Sequence, residues 1–167
     1  MSCFGFLDEI CALAKGGETM IAKILVATDG SDHANKAIEM ASELALKYNA
    51  TLSLVHVVYE AKVPEGVAEY VREEGIKESP EYVYLEMAGK RILEEAEKLA
   101  KKKGVKNIQS TVLVGDPAEK ISQLARENDV NMIFLGSRGL SKLGGLMLGS
   151  VSSKVCHLAD RTCVTVK

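Results

Sequence analysis

The sequence predicts an α/β fold in which a five-stranded, all-parallel, doubly wound sheet carries helices on both faces, a Rossmann-like three-layer α/β/α architecture. Short apolar runs alternate along the chain with longer segments whose apolar residues recur at the helical period. Two of these runs, 23–27 and 131–135, are apolar throughout, which is typical of parallel strands buried on both faces. A length of 167 residues suits a single domain of this kind.

The first half of the chain predicts two strands joined by a helix. The first strand, 23–27, ends at the turn Thr28-Asp29-Gly30. Ser31 is a preferred helix cap, and the 3.6-residue apolar period that follows predicts an amphipathic helix over 32–48. Residues 51–58 form the second strand.

Residues 59–80 show no periodic pattern and are interpreted as a solvated connection. Between Glu60 and Glu81 there are seven acidic and three basic residues. A lid over a ligand site, or a loop that contacts a partner, is the alternative interpretation.

The second half predicts three more helices and three more strands. Asp116 supplies a cap, Pro117 takes the first helical position and Glu119 completes the capping pattern, so a helix begins here and runs to about 128. The other elements are a helix over about 80–103, strands over 108–114, 131–135 and 162–166, and a short helix ending near 160.

Composition argues against several classes of protein. A net charge of −2 argues against a nucleic-acid partner, and no apolar run is long enough to span a membrane. The four cysteines lack the C-x-x-C spacing of zinc sites and indicate reduced thiols and a cytoplasmic location.

Residues 1–19 are expected to form a helical extension that precedes the domain at 20–167. Phe4, Leu7, Cys11 and Ala14 fall on one helical stripe, and acidic residues interrupt the apolar stretch, which argues against a signal peptide. This helix either packs on its own domain or contacts another subunit or an unknown protein partner.

The motif with the most chemical content is Gly136-Ser137-Arg138-Gly139, followed after nine further residues by Gly149-Ser150. A glycine-rich loop between a buried strand and a helix lets backbone N–H groups approach an anion, and the helix dipole adds to the attraction. The spacing matches neither the Walker A loop nor the dinucleotide-binding fingerprint. The motif therefore predicts a different type of phosphate-binding loop.

Asp29 lies where the same site is expected. If the first and fourth strands are neighbours, Asp29 and the glycine loop share the crevice at the point where the strand order reverses. Asp29 can also simply close its turn, and the glycines can be turn residues. Ser150, Ser152 and Ser153 can cap the last helix. His56 is interpreted as a hydrogen-bonded strand residue, and His33 and His157 as isolated, so no catalytic dyad is expected.

Three segments, 24–31, 56–58 and the glycine motif, resemble the ATP-binding branch of the universal stress protein family. The resemblance extends over about 20–167. It implies the adenine nucleotide α-hydrolase-like form of the fold with strand order 3-2-1-4-5, ATP bound with Mg²⁺ or Mn²⁺, and a homodimer built on the fifth strand.

The resemblance also implies the residues of the site. It puts Ala27 and Val57 near the adenine and Asp29 at the nucleoside or metal end. The cofactor-binding residues it implies are Ala27, Thr28, Asp29, Val57, Leu135, Gly136, Ser137, Arg138, Gly139, Gly149, Ser150, Val151 and Ser152.

Three functional classes follow. The first is a nucleotide-dependent regulatory module of the stress response. The second is a slow ATP-hydrolysing enzyme that uses the same site, for which the sequence offers no evident base. The third is a dimeric interaction protein that binds no nucleotide, against which the intact glycine spacing argues.

Overall fold

A computed structural model describes residues 21–59, 63–139 and 148–167. Within those ranges there are five strands and five helices, with one helix between successive strands except for two between β2 and β3. The strands are β1 (Lys23–Ala27), β2 (Thr51–Val58), β3 (Ile108–Val114), β4 (Met132–Gly136) and β5 (Thr162–Val166). The helices are α1 (Asp32–Tyr48), α2 (Glu65–Glu73), α3 (Pro80–Lys103), α4 (Pro117–Glu127) and α5 (Ser150–Leu158). The helix predicted for 1–19 lies outside the described residues.

The strands form one all-parallel sheet in the order β3-β2-β1-β4-β5. Ala27 at the end of β1 is in register with Val55 of β2 on one side and Leu135 of β4 on the other. The chain therefore proceeds outward from β1 in both directions, and the strand order reverses between β1 and β4. The predicted fold and strand order are confirmed.

Helices cover both faces of the sheet because β1 and β4 are apolar on both. Ile24 and Val26 of β1 join the core formed with α1 and α3. Leu25 points the other way, into the core formed with α4 and α5. These three side chains are fully buried, which explains why the run shows no alternation of apolar and polar residues.

Two predicted capping residues fix the start of their helices. The Ser31 hydroxyl accepts a hydrogen bond from Ala34 N–H at 3.3 Å at the start of α1. The Asp116 carboxylate accepts one from Glu119 N–H at 3.0 Å at the start of α4. Each cap satisfies a backbone donor that has no partner within its helix.

The structure differs from the sequence prediction between β2 and α3, where α2 occupies nine residues of the segment that was expected to be irregular. Val71 is the buried residue of this helix, and Val67, Tyr70 and Val71 do recur at the helical period. The helix is short and lies in a segment rich in charged residues, which is why the pattern resembles a solvated connection. Strand β4 also begins and ends one residue later than predicted. Among the described residues, no helix is both long enough and apolar enough to cross a membrane.

Candidate functional site

The candidate site lies where β1 and β4 end side by side. Ala27 and Leu135 are in register, so Thr28 and Asp29 leave β1 next to the point where Gly136 and Ser137 leave β4. In open parallel sheets this reversal point opens a crevice at the carboxyl ends of the strands. The topology thus brings the two predicted motifs together.

The turn after β1 is held by its own side chains. Ser31 N–H donates to the Asp29 carboxylate at 3.0 Å, and Gly30 N–H donates to the Thr28 hydroxyl at 3.2 Å. Gly30 has a φ of +79°, a conformation that a residue with a side chain rarely adopts. Asp29 therefore closes this turn, as the simpler interpretation predicts, and the bond from Ser31 is one of its contacts.

Gly139 lies directly against Asp29. A Cβ at position 139 would collide with Oδ2 of Asp29 and would lie 3.6 Å from its Cγ. A residue with a Cβ here would have to displace this carboxylate, because the loop passes next to it.

Gly136 is constrained more strictly, by backbone atoms. A Cβ there would lie 2.8 Å from the backbone N of Ala34 and 2.9 Å from the backbone C of His33. These atoms belong to the first turn of α1 and cannot rotate away. Gly136 therefore allows the start of α1 to pack against the end of β4.

The two halves of the glycine motif are hydrogen-bonded to each other. Gly149 N–H donates to the Ser137 carbonyl at 2.8 Å, and the Ser152 hydroxyl approaches the same carbonyl at 3.3 Å. Ser137 N–H donates in turn to the Val166 carbonyl of β5 at 2.6 Å. The loop is thus anchored to both α5 and β5.

Helix α5 begins at this junction. Gly149 occupies the cap position and supplies no side-chain hydrogen bond, while Ser150 and Val151 are exposed in the first turn. Ser152 is buried, and its hydroxyl also bonds to the Gly149 carbonyl at 3.0 Å. The first N–H groups of a helix have no partner within it, so Ser150 and Val151 carry backbone donors that suit an anion.

The loop is also connected to α1. Ser137 is buried, and its hydroxyl lies 3.0 Å from Nδ1 of His33. The Ser31 hydroxyl donates to the Arg138 carbonyl at 3.4 Å. The interpretation of His33 as isolated is wrong. A buried serine needs a hydrogen-bond partner, but its partner lies 104 positions away and the sequence offers no signal for it.

His56 acts as predicted for a hydrogen-bonded strand residue. Its Nδ1 lies 2.7 Å from the Thr28 carbonyl, and because a carbonyl only accepts, Nδ1 carries the proton. This bond ties the end of β1 to β2, just before the turn that carries Asp29.

The other predicted site residues lie at the ends of β1, β2 and β4 and in the glycine loop. Ala27 and Val57 are half-buried on the sheet face covered by α4 and α5, with Leu135 buried among them. Arg138 is half-buried in the loop. A cavity of about 570 Å³ lies elsewhere, between α3 and β3, and contains none of the predicted site residues.

A doubly wound sheet of this order, with a glycine-rich loop at its point of reversal, defines a Rossmann-like α/β protein. Within that class, the sequence profile of the Universal stress protein family matches residues 20–167. The chain belongs to this family.

Known relatives and solved structures match most of the chain. Universal stress protein YxiE of Bacillus subtilis (strain 168) is 43% identical over 148 residues, which cover 86% of this chain and 96% of the relative. A universal stress protein solved in complex with cAMP is 27% identical, with a TM-score of 0.62 and coverage of 87% of this chain and 96% of that one. The solved protein MJ0577 is 27% identical, with a TM-score of 0.69 and coverage of 89% and 96%.

Proposed function

We propose that this chain binds ATP at the carboxyl ends of β1 and β4 and acts as a nucleotide-dependent regulatory module of the stress response. The observation that carries the proposal is the contact of Gly139 with Asp29, because it places the glycine loop beside the one acidic side chain of the β1 turn. The solved relative with cAMP supports an adenine nucleotide as the ligand.

The phosphates would be held by the glycine loop and the start of α5. Ser150 and Val151 offer first-turn N–H groups, and no acidic residue occupies the first turn of this helix. The positive end of the helix dipole attracts anions, so this helix start suits a phosphate group.

The base would lie on the apolar surface next to the ends of β1 and β2. Ala27 and Val57 are half-buried on the same face of the sheet, and Val57 packs against the core beneath α4. Such an apolar surface suits the flat face of an adenine.

A divalent cation, Mg²⁺ or Mn²⁺, would be held here by Asp29 together with the phosphates of the nucleotide, and not by protein side chains alone. Among the described residues no group of three or more His, Cys, Asp or Glu side chains could hold an ion on its own. Mg²⁺ is commonly held by one or two carboxylates together with substrate phosphates, so Asp29 would be the protein ligand. The ion would neutralise phosphate charge next to that carboxylate.

We also propose that two copies of the chain pair through β5 and that the protein is cytoplasmic. Strand β5 lies at the edge of the sheet, where an unpaired strand offers free backbone groups to a second copy. The free thiols of Cys156 and Cys163 support a reducing compartment.

The function is tested by the nucleotide released from the purified protein on denaturation. ATP or another adenine nucleotide in near-stoichiometric amount would support the proposal. Protein that carries no nucleotide and fails to bind added Mg-ATP would favour a dimeric interaction protein instead.

A further inference from the structure

The last helix and the last strand place two cysteines on adjoining surfaces. The side of α5 that faces the sheet carries Ser152 and Val155, and Ala159 continues it just past the end of the helix. Cys156 lies at the margin of this inner side. Cys163 lies on β5 in register with Ile133, and its side chain packs on the face that α5 covers. The short connection 159–161 joins the two elements.

The two thiols differ in environment. Cys156 is exposed, whereas Cys163 is half-buried and donates to the Arg161 carbonyl at 3.5 Å. Burial first, and then the charge of the adjoining Cys156 and a hydrogen bond with it, raise the pKa of the Cys163 thiol to about 11. Cys163 is thus a protonated thiol at neutral pH, while Cys156 is the thiol that a solute reaches first.

We propose that Cys156 and Cys163 form a modification site at which a hydroperoxide is reduced and an intramolecular disulfide is made. The Cys156 thiolate attacks the peroxide, the O–O bond breaks, and Cys156 becomes a sulfenic acid as an alcohol or water leaves. The Cys163 sulfur then attacks the Cys156 sulfur. The proton of the Cys163 thiol and the hydroxyl of the Cys156 sulfenic acid leave together as water. Over the two steps the two thiols lose two electrons and the peroxide gains two.

The disulfide would affect the elements that anchor the glycine loop. It would tie the last turn of α5 to β5, while the first turn of α5 and the end of β5 hold Ser137 through Gly149 and Val166. The modification site is separate from the proposed nucleotide site, and its test requires no nucleotide.

Trypsin can distinguish this disulfide from others. Cleavage after Lys154 and Arg161 divides the two cysteines between peptides 155–161 and 162–167. After treatment of the full chain with hydrogen peroxide, we expect these two peptides to be linked in non-reducing mass spectra and separated by a thiol reductant. The variant Cys3→Ser/Cys11→Ser should give the same link, since it retains the proposed pair.

Single variants test the order of the two steps. In Cys163→Ser, we expect a sulfenic acid to accumulate at Cys156 and to be trapped by a cyclic 1,3-dione. In Cys156→Ser, Cys163 should stay reduced at the same peroxide dose. Absence of the link in folded protein, a link between chains on a non-reducing gel, or wild-type oxidation of Cys163 in Cys156→Ser would each overturn the proposal.

Discussion

The carboxylate of Asp29 occupies the space into which a Cβ on residue 139 would project. The corresponding space at Gly136 is filled by backbone atoms of Ala34 and His33 instead. Two glycines of one motif therefore face different obstacles, a side chain of the candidate site at Gly139 and the backbone of α1 at Gly136. Substitutions at the two positions should have different consequences.

Gly136→Ala should destabilise the fold, because its Cβ would meet backbone at 2.8–2.9 Å. We expect a loss of about 1–3 kcal/mol in the free energy of unfolding, as for other overpacked sites. Gly66→Ala is the control, because its Cβ would meet nothing within 4 Å. Urea unfolding of both variants measures the difference, and equal stabilities would contradict the packing role of Gly136.

Asp116 should make stability depend on pH. The hydrogen bond from Glu119 N–H, followed by that from Lys154, lowers the pKa of the Asp116 carboxyl in the folded protein. A lowered folded pKa means that the stabilisation is present above the unfolded value of about 3.9 and is lost as pH falls through the folded value.

Asp116→Asn tests this dependence, since asparagine retains the capping ability and loses the charge. The Tm of the wild type should exceed that of the variant at pH 7, and the gap should close in acid below the folded pKa. A gap that stays constant down to the acid transition would contradict the charged role of Asp116.

The dimer prediction requires a probe at the outer edge of β5. Val166 is a poor position for a charge, because it is buried in the core against α1 and its carbonyl bonds to Ser137. Backbone groups of successive strand residues alternate in direction, so Thr165 N–H points away from β4. Thr165→Pro should remove an outward donor and leave the ladder with β4 intact.

Sedimentation at matched concentrations measures the effect. We expect a dimer for the wild type and a shift toward monomer for Thr165→Pro with a retained circular dichroism spectrum. A wild-type protein that stays monomeric at high concentration would refute the dimer, and a fully dimeric variant would exclude β5 as its interface.

The sequence was sufficient for the elements whose signals are local. Strand β1 and the caps Ser31 and Asp116 lie where the sequence predicts them, and β4 lies within one residue of its predicted bounds. Strand order could not follow from local pattern, because adjacency of β1 and β4 depends on contacts between residues more than a hundred positions apart. It came from the family resemblance and is confirmed by the sheet.

Other features of the site had no local signal at all. The contact of His33 with Ser137, and the packing of Gly136 under α1, arise only when α1 docks on the end of β4. The glycines were predictable as a motif, whereas the distinct requirement for each was not.

Titration calorimetry with Mg-ATP on the wild type, Gly139→Ala and Gly66→Ala tests the central claim most directly. A Cβ at position 66 meets nothing within 4 Å, so Gly66→Ala is the matched control. We expect the wild type and Gly66→Ala to bind alike, and Gly139→Ala, which must displace the Asp29 carboxylate, to bind at least about tenfold more weakly, or about 1.4 kcal/mol. No binding by the folded wild type, or equal affinity of all three proteins, would contradict a nucleotide site at the ends of β1 and β4.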